Sequence, residues 1–160
     1  HRVFERLPTL AVKPALALSL HTSRADLRAE LLPKAPRIAP HELVELGETY
    51  ARRTGYPIQY QWTLIDGVND TPEELDGIVR LLTGKYAIMN MIPYNTIPDL
   101  PFRRPAWDKA ADIARQLHRR GILTKLRNSA GQDVEGGCGQ LRARVLGEKP
   151  VNFAPPRTNK

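Results

Sequence analysis

The chain has 160 residues, of which 41% are hydrophobic and 26% charged, and its mean hydropathy is −0.41. This length supports one compact core rather than two, and no apolar run approaches the roughly 20 residues that span a bilayer. The net charge is +7, and residues 102–160 hold 13 basic and 5 acidic side chains. This excess favours an anionic partner, with solvated helix faces as an equal alternative. Without a signal-peptide pattern, the chain is expected in the cytoplasm.

Short apolar runs alternate with longer helical patterns along the chain. Residues 15–20 are apolar almost throughout, which predicts a strand buried on both faces. Helices are then predicted at 26–32, 40–55, 71–84 and 107–121, and strands at 58–65, 87–92 and 122–126. Thr71 and Glu74 form a capping-box pattern at the start of the third helix. The alternation predicts an α/β fold with a parallel sheet of about four strands, too few for a closed barrel.

Groups able to bind or react follow three of the predicted strands. Ser19, Leu20 and His21 end the first strand, Asn95 follows the third, and the segment after the fourth leads to Cys138. Ligands of parallel α/β proteins gather at the carboxyl ends of strands. On its own, His21 fits a loop or capping histidine better than a ligand contact, whereas Asn95 fits a turn and a ligand contact equally.

Cys138 is the single cysteine, so it can form no internal disulfide and no cysteine-ligated metal site. It lies among glycines in residues 136–140, where no apolar neighbours would bury it. Glycines allow close approach of the backbone to a ligand. A reactive thiol is therefore favoured over a structural one.

Four motifs occur in the order of one known family. Together they resemble the second half of the radical-SAM RNA adenine-C2 methyltransferases of the RlmN/Cfr type. The resemblance covers nearly everything from Val3 to Leu141, and its motifs lie at 17–21, 64–70, 90–95 and 138–141.

The resemblance implies a partial (β/α) radical-SAM barrel, to which this chain contributes the later strands and helices. Residues 1–146 would form the carboxy-terminal part of that barrel domain, and 147–160 a flexible basic tail. By match to the family motifs, Ser19, Leu20, His21 and Asn95 would contact S-adenosylmethionine (SAM). Cys138 would carry a methyl group as a covalent intermediate.

The implied function is methylation of carbon 2 of adenine in 23S rRNA, with tRNA as a further substrate left open. The family also needs a 4Fe–4S cluster, and the C-x3-C-x2-C motif that would hold it is absent here. A truncated chain, inactive by itself and able to self-associate through an unpaired edge strand, is therefore expected. The alternatives are a divergent radical-SAM redox enzyme with another substrate and a non-catalytic RNA-binding module.

Overall fold

The structure, a computed structural model, describes residues 2–97 and 100–128. Four parallel strands form one sheet in the order β1-β2-β3-β4, at Ala17–Ser19, Ile58–Leu64, Ala87–Pro93 and Thr124–Leu126. The helices are α1 (Arg2–Arg6), α2 (Ala25–Leu31), α3 (Pro40–Thr54), α4 (Pro72–Leu82) and α5 (Trp107–Arg119), with a 3-10 turn at Leu7–Thr9. The predicted α/β fold with four parallel strands is confirmed. The predicted tail at 147–160 lies outside the described residues.

The main core lies between one face of the sheet and the helices α3, α4 and α5. Alternate side chains of β2 are buried, and Trp62 and Tyr60 are among the largest of them. Burial of one such large apolar side chain stabilises the fold by about 1.5–3 kcal/mol. The helices contribute Leu43, Val44, Tyr50, Leu75, Ile78, Leu82, Ile113 and Leu117, and β3 contributes Met89 and Met91. A smaller apolar cluster of Leu27, Leu31, Ile65, Tyr94 and Phe102 forms beyond the carboxyl ends of β2 and β3.

The ends of helix α3 follow directly from its sequence. It begins at Pro40, whose missing N–H costs nothing at a first helical position. Its last residue is Thr54, and the following Gly55 adopts φ 76° and donates its N–H to Ala51 O. Glycine takes this left-handed conformation without steric cost, so the helix ends one residue before it.

The prediction that the first strand is buried on both faces is wrong. β1 has only three residues; Ala17 and Ser19 are exposed, and Leu18 is half-buried. Among the described residues, the strand stands at the edge of the sheet and pairs only with β2, so its apolar residues are not enclosed from both sides there. An apolar run by itself does not distinguish an edge strand from a central one.

The capping box predicted for helix α4 is half formed. Thr71 Oγ1 accepts a hydrogen bond from Glu74 N at 3.4 Å, as the pattern predicts. The Glu74 carboxylate does not return to the cap, because it binds residues 22 and 23 after β1. In the part of the chain that the structure describes, no helix is long and apolar enough to cross a membrane.

Candidate functional site

The face of the sheet opposite the core is polar in its middle. Ser19, Gln61, Asn90 and Lys125 are register partners across the four strands, so their side chains share this face. Asn90 is buried and its Nδ2 donates to Gln59 Oε1 at 3.1 Å. We call these five residues the polar face. Of these five, the sequence analysis named only Ser19 as a candidate site residue. The alternation of Gln59 and Gln61 with Tyr60 and Trp62 along the sequence was the signal for a polar face.

His21 follows β1 in a conformation that few residues other than glycine adopt, with φ 61°. Its Nδ1 accepts the main-chain N–H of Thr63 at 2.9 Å. Burial, with the nearby Arg28 cation as the second cause, lowers the pKa of His21 to about 4. The imidazole is therefore neutral near pH 7, and its proton is on Nε2 because Nδ1 is an acceptor.

Asn69 joins the ends of β1 and β2. Its side chain is fully buried, and its Nδ2 donates to His21 O at 2.7 Å and to Thr63 O at 2.8 Å. Its Oδ1 accepts the N–H of Ile65 at 2.7 Å. The amide thus satisfies main-chain groups at the point where the ladder of the two strands stops. The loop at 66–70, which belongs to the family motif at 64–70, carries this link.

Glu74 holds the turn that follows His21. Its carboxylate, 2% exposed, accepts Thr22 Oγ1 at 2.6 Å, Ser23 N at 2.7 Å and Ser23 Oγ at 2.8 Å. Hydrogen bonds to an ionised carboxylate are stronger than neutral ones. Gly77 lies one helical turn along α4, and a Cβ there would overlap the side chain of Ser23. The close approach of α4 to this turn therefore requires glycine at position 77.

Arg28 of helix α2 binds the last carbonyl of β1. Its Nη2 lies 3.2 Å from Ser19 O, and its Nη1 lies 3.3 Å from both Pro36 O and Ile38 O. Burial lowers the pKa of this guanidinium. The cation therefore fixes the main chain just before His21 and links it to the segment that enters α3.

The three residues predicted at the end of β1 are adjacent but face different surroundings. The Ser19 side chain is exposed on the polar face. Leu20 is fully buried in the main core, and its main-chain N–H donates to Gln61 O at 3.0 Å. His21 is half-buried at the strand end. Their contact with SAM stays a prediction.

Asn95 lies two residues beyond β3, and β2 separates that strand from β1. Its Oδ1 accepts Arg104 Nη1 at 3.0 Å. Arg104 also donates from Nη2 to Asn128 Oδ1 at 3.1 Å, two residues past β4. The arginine therefore joins the ends of β3 and β4, and the predicted role of Asn95 as a SAM contact remains to be tested.

Lys109 ties the loop after β2 to helix α5. Its Nζ lies 2.5 Å from Asp70 Oδ2 and 2.9 Å from Asp66 Oδ1, and Asp70 Oδ1 accepts Gly67 N. Hydrogen bonds to Asp70 and Asp66 raise the pKa of Lys109, and the same lysine lowers the pKa of Asp66. The loop that carries Asn69 is thus held from both ends.

Cys138 lies outside the described residues. Within residues 2–97 and 100–128, no group of three or more His, Cys, Asp or Glu side chains could hold a metal ion. The described site therefore offers hydrogen-bonding groups on the polar face and one neutral histidine at the end of β1. These features define a parallel α/β protein, and its candidate site lies at the carboxyl ends of the strands.

Comparison with known proteins narrows that class. The chain is 76% identical over 146 residues to a probable RNA methyltransferase of Azoarcus sp. and 75% identical over 145 residues to one of Leptothrix cholodnii. Each match covers 91% of this chain and 42% of the relative. The chain therefore spans about two fifths of the length of these curated relatives. No family model matches it.

The structure is similar to a radical SAM methyltransferase from Sphaerobacter thermophilus, with TM-score 0.80 and 35% identity over 87% of this chain and 41% of that one. A domain of pyruvate-formate lyase-activating enzyme from Bacteroides vulgatus shares the fold, with TM-score 0.57 and 16% identity. The chain is thus homologous to part of proteins named probable RNA methyltransferases and similar in structure to part of a radical SAM methyltransferase, which confirms the predicted resemblance at this level.

Proposed function

We propose that this chain is the carboxy-terminal part of a radical-SAM enzyme that methylates carbon 2 of adenine in 23S rRNA, with tRNA left open as a further substrate. Identity of 75–76% to probable RNA methyltransferases over nine tenths of the chain is the observation that carries the proposal. The similarity to a radical SAM methyltransferase supports the radical-SAM class. The isolated chain is proposed to be inactive.

The end of β1 fits the hydrogen-bonding needs of SAM, which supplies the methyl group when bound. The Ser19 hydroxyl, the His21 Nε2–H and the Asn95 amide are the proposed contacts, whereas Leu20 is fully buried between them and its N–H is bonded within the sheet. His21 is a donor here because Thr63 N–H occupies its Nδ1. The polar face provides donors and acceptors beside these residues.

The described residues do not fit a 4Fe–4S cluster. They contain no cluster of potential metal ligands, and the whole chain has one cysteine. We propose that the cluster is held by a part of the protein that this chain does not include. No step of the reaction is assigned to the described residues through it.

Cys138 is the proposed acceptor of the methyl group. A thiolate is a good nucleophile, whereas carbon 2 of adenine is electron-poor and does not attack a sulfonium methyl directly. The RNA would meet the basic carboxy-terminal third, whose net positive charge attracts phosphates. Binding is therefore expected to weaken as salt is added.

Peptide mass spectrometry tests the proposal. The full-length protein is purified anaerobically after co-expression with cluster-assembly machinery, and the mass of the peptide containing Cys138 is measured. One added methyl group is expected, and it should vanish when the cluster cysteines are replaced. An unmodified Cys138 in protein that binds SAM and holds its cluster would overturn the methyl-cysteine route and favour a redox enzyme.

The substitution Cys138→Ala in the full-length protein distinguishes an enzyme from a non-catalytic RNA-binding module. The substitution should abolish methylation of 23S rRNA while RNA affinity is retained. Methylation that survives it would refute the assigned role of the cysteine. Cys138→Ser provides the matched variant, because it keeps the size of the side chain and loses the thiolate.

A further inference from the structure

We propose that Asn69 is a positioning residue for the SAM site, because it holds His21 in the one backbone conformation that presents a neutral Nε2–H donor to the ligand. The inference rests on the proposed function, in which His21 contacts SAM. It further specifies which ring nitrogen of His21 carries the proton, that the ring is uncharged, and that Asn69 maintains this state.

The tautomer follows from the geometry of the strand end. A main-chain N–H can only donate, and that of Thr63 points to His21 Nδ1 at 2.9 Å. The Nδ1 atom must therefore be unprotonated while this bond exists, which leaves the proton of the neutral ring on Nε2. The contact also replaces the ladder hydrogen bond that Thr63 N–H would otherwise make with a longer β1.

The conformation depends on the Asn69 amide. A non-glycine residue at φ 61° is strained and persists only where its surroundings hold it. Asn69 Nδ2 binds the carbonyl of His21 itself, and also the carbonyl of Thr63, whose N–H faces the ring. One side chain thus fixes both partners of the imidazole contact.

The charge state suits the proposed ligand. SAM carries a sulfonium cation, and Arg28 already places a guanidinium close to His21. A protonated imidazole would add a second positive charge beside that cation, which costs energy in a buried site. Burial and Arg28 both oppose that protonation.

Two measurements on the full-length protein test the inference. Selective ¹⁵N-histidine NMR of the cluster-free protein, with His21→Gln for assignment, should show an unprotonated Nδ1 and a protonated Nε2.

The second measurement is the SAM affinity of Asn69→Asp. This substitution keeps the acceptor for Ile65 N–H and sets an oxygen against two carbonyl oxygens. We expect the SAM Kd to rise about tenfold, the scale of one lost ligand hydrogen bond. If the aspartate variant fails to fold, Asn69→Ala replaces it in the same measurement.

Leu117→Ala in the core of α5 is the control, because it lowers thermal stability without touching this strand end. It should leave the SAM Kd and the His21 resonances unchanged at a comparable loss of stability. A wild-type spectrum with the proton on Nδ1, or Asn69 variants with unchanged Kd and resonances, would overturn the inference. If His21→Ala itself leaves the SAM Kd unchanged, the proposed SAM contact fails instead.

Discussion

The core under the helices and the end of β1 are stabilised by different forces. In the core, Trp62 and its neighbours are held by apolar packing against α3, α4 and α5. At the end of β1, Asn69 and Glu74 bind main-chain atoms that lie 48 and 51 residues away in sequence, and Arg28 binds the carbonyl of Ser19. Apolar packing contributes the same stability at different pH values, whereas the contribution of a network of charged and titratable groups changes with pH. The two regions should therefore respond differently to the same perturbations.

The largest effect is expected in the core. Trp62→Ala removes a fully buried side chain and should lower the free energy of unfolding by about 3–5 kcal/mol. Urea unfolding followed by circular dichroism at pH 5 and pH 8 should give the same loss at both. Gln61→Ala, the next residue on the polar face, is the control and should stay within about 0.5 kcal/mol of wild type. Equal losses for the two variants would contradict the contrast between the faces.

The end of β1 should be sensitive to pH through His21. Its pKa is about 4 in the folded protein, below the ordinary value of 6.5, so the unfolded chain binds the proton first. The resulting stability is fully present above pH 6.5 and is lost as the pH falls towards 4, by at most about 3 kcal/mol. Urea midpoints at pH 8, 6 and 4.5 should show this decline in wild type.

His21→Gln removes the titrating ring, so this part of the decline should disappear. His118→Gln on the exposed surface of α5 is the matched histidine control and should keep the wild-type decline. A His21→Gln variant with the same pH profile as wild type would show that His21 is not neutralised by folding.

A smaller loss is expected from Glu74→Gln. The amide keeps the size of the carboxylate, but its NH₂ group meets a hydroxyl or N–H donor of Thr22 or Ser23. We expect a loss of about 2 kcal/mol in the free energy of unfolding, as for hydrogen bonds to a charged group. Glu73→Gln, the exposed neighbour on the same helix, loses only hydrogen bonds at the helix start and should lower the urea midpoint far less. A variant pair with equal midpoints would mean that the Glu74 carboxylate contributes nothing.

The sequence predicted the elements well where local rules determine them. Helix α3 is bounded by Pro40 and Gly55, and β2 alternates between Trp62 inward and Gln61 outward. The failure at β1 has a physical cause, because an apolar run reports hydrophobicity and not the neighbours that cover it. Only the three-dimensional order of the strands shows that β1 is an edge of the sheet that the described residues form.

The strand-end network could not be predicted from the sequence. Asn69 binds the carbonyl of His21, 48 residues away, and any residue has such a carbonyl. Glu74 matches a capping box, yet its carboxylate is directed to Ser23, 51 residues away. The sequence did place Ser19, His21 and Asn95 at strand ends, but it could not show that Leu20 faces the core.

The order of the strands in space repeats their order along the chain. Each strand therefore pairs with the strand synthesised just before it, and no later segment must be inserted between earlier ones. A chain with this layout can add one strand and one helix at a time as it leaves the ribosome. We expect protease-resistant nascent fragments to appear in steps, the first once β2 and β3 have both emerged and α4 can close over them.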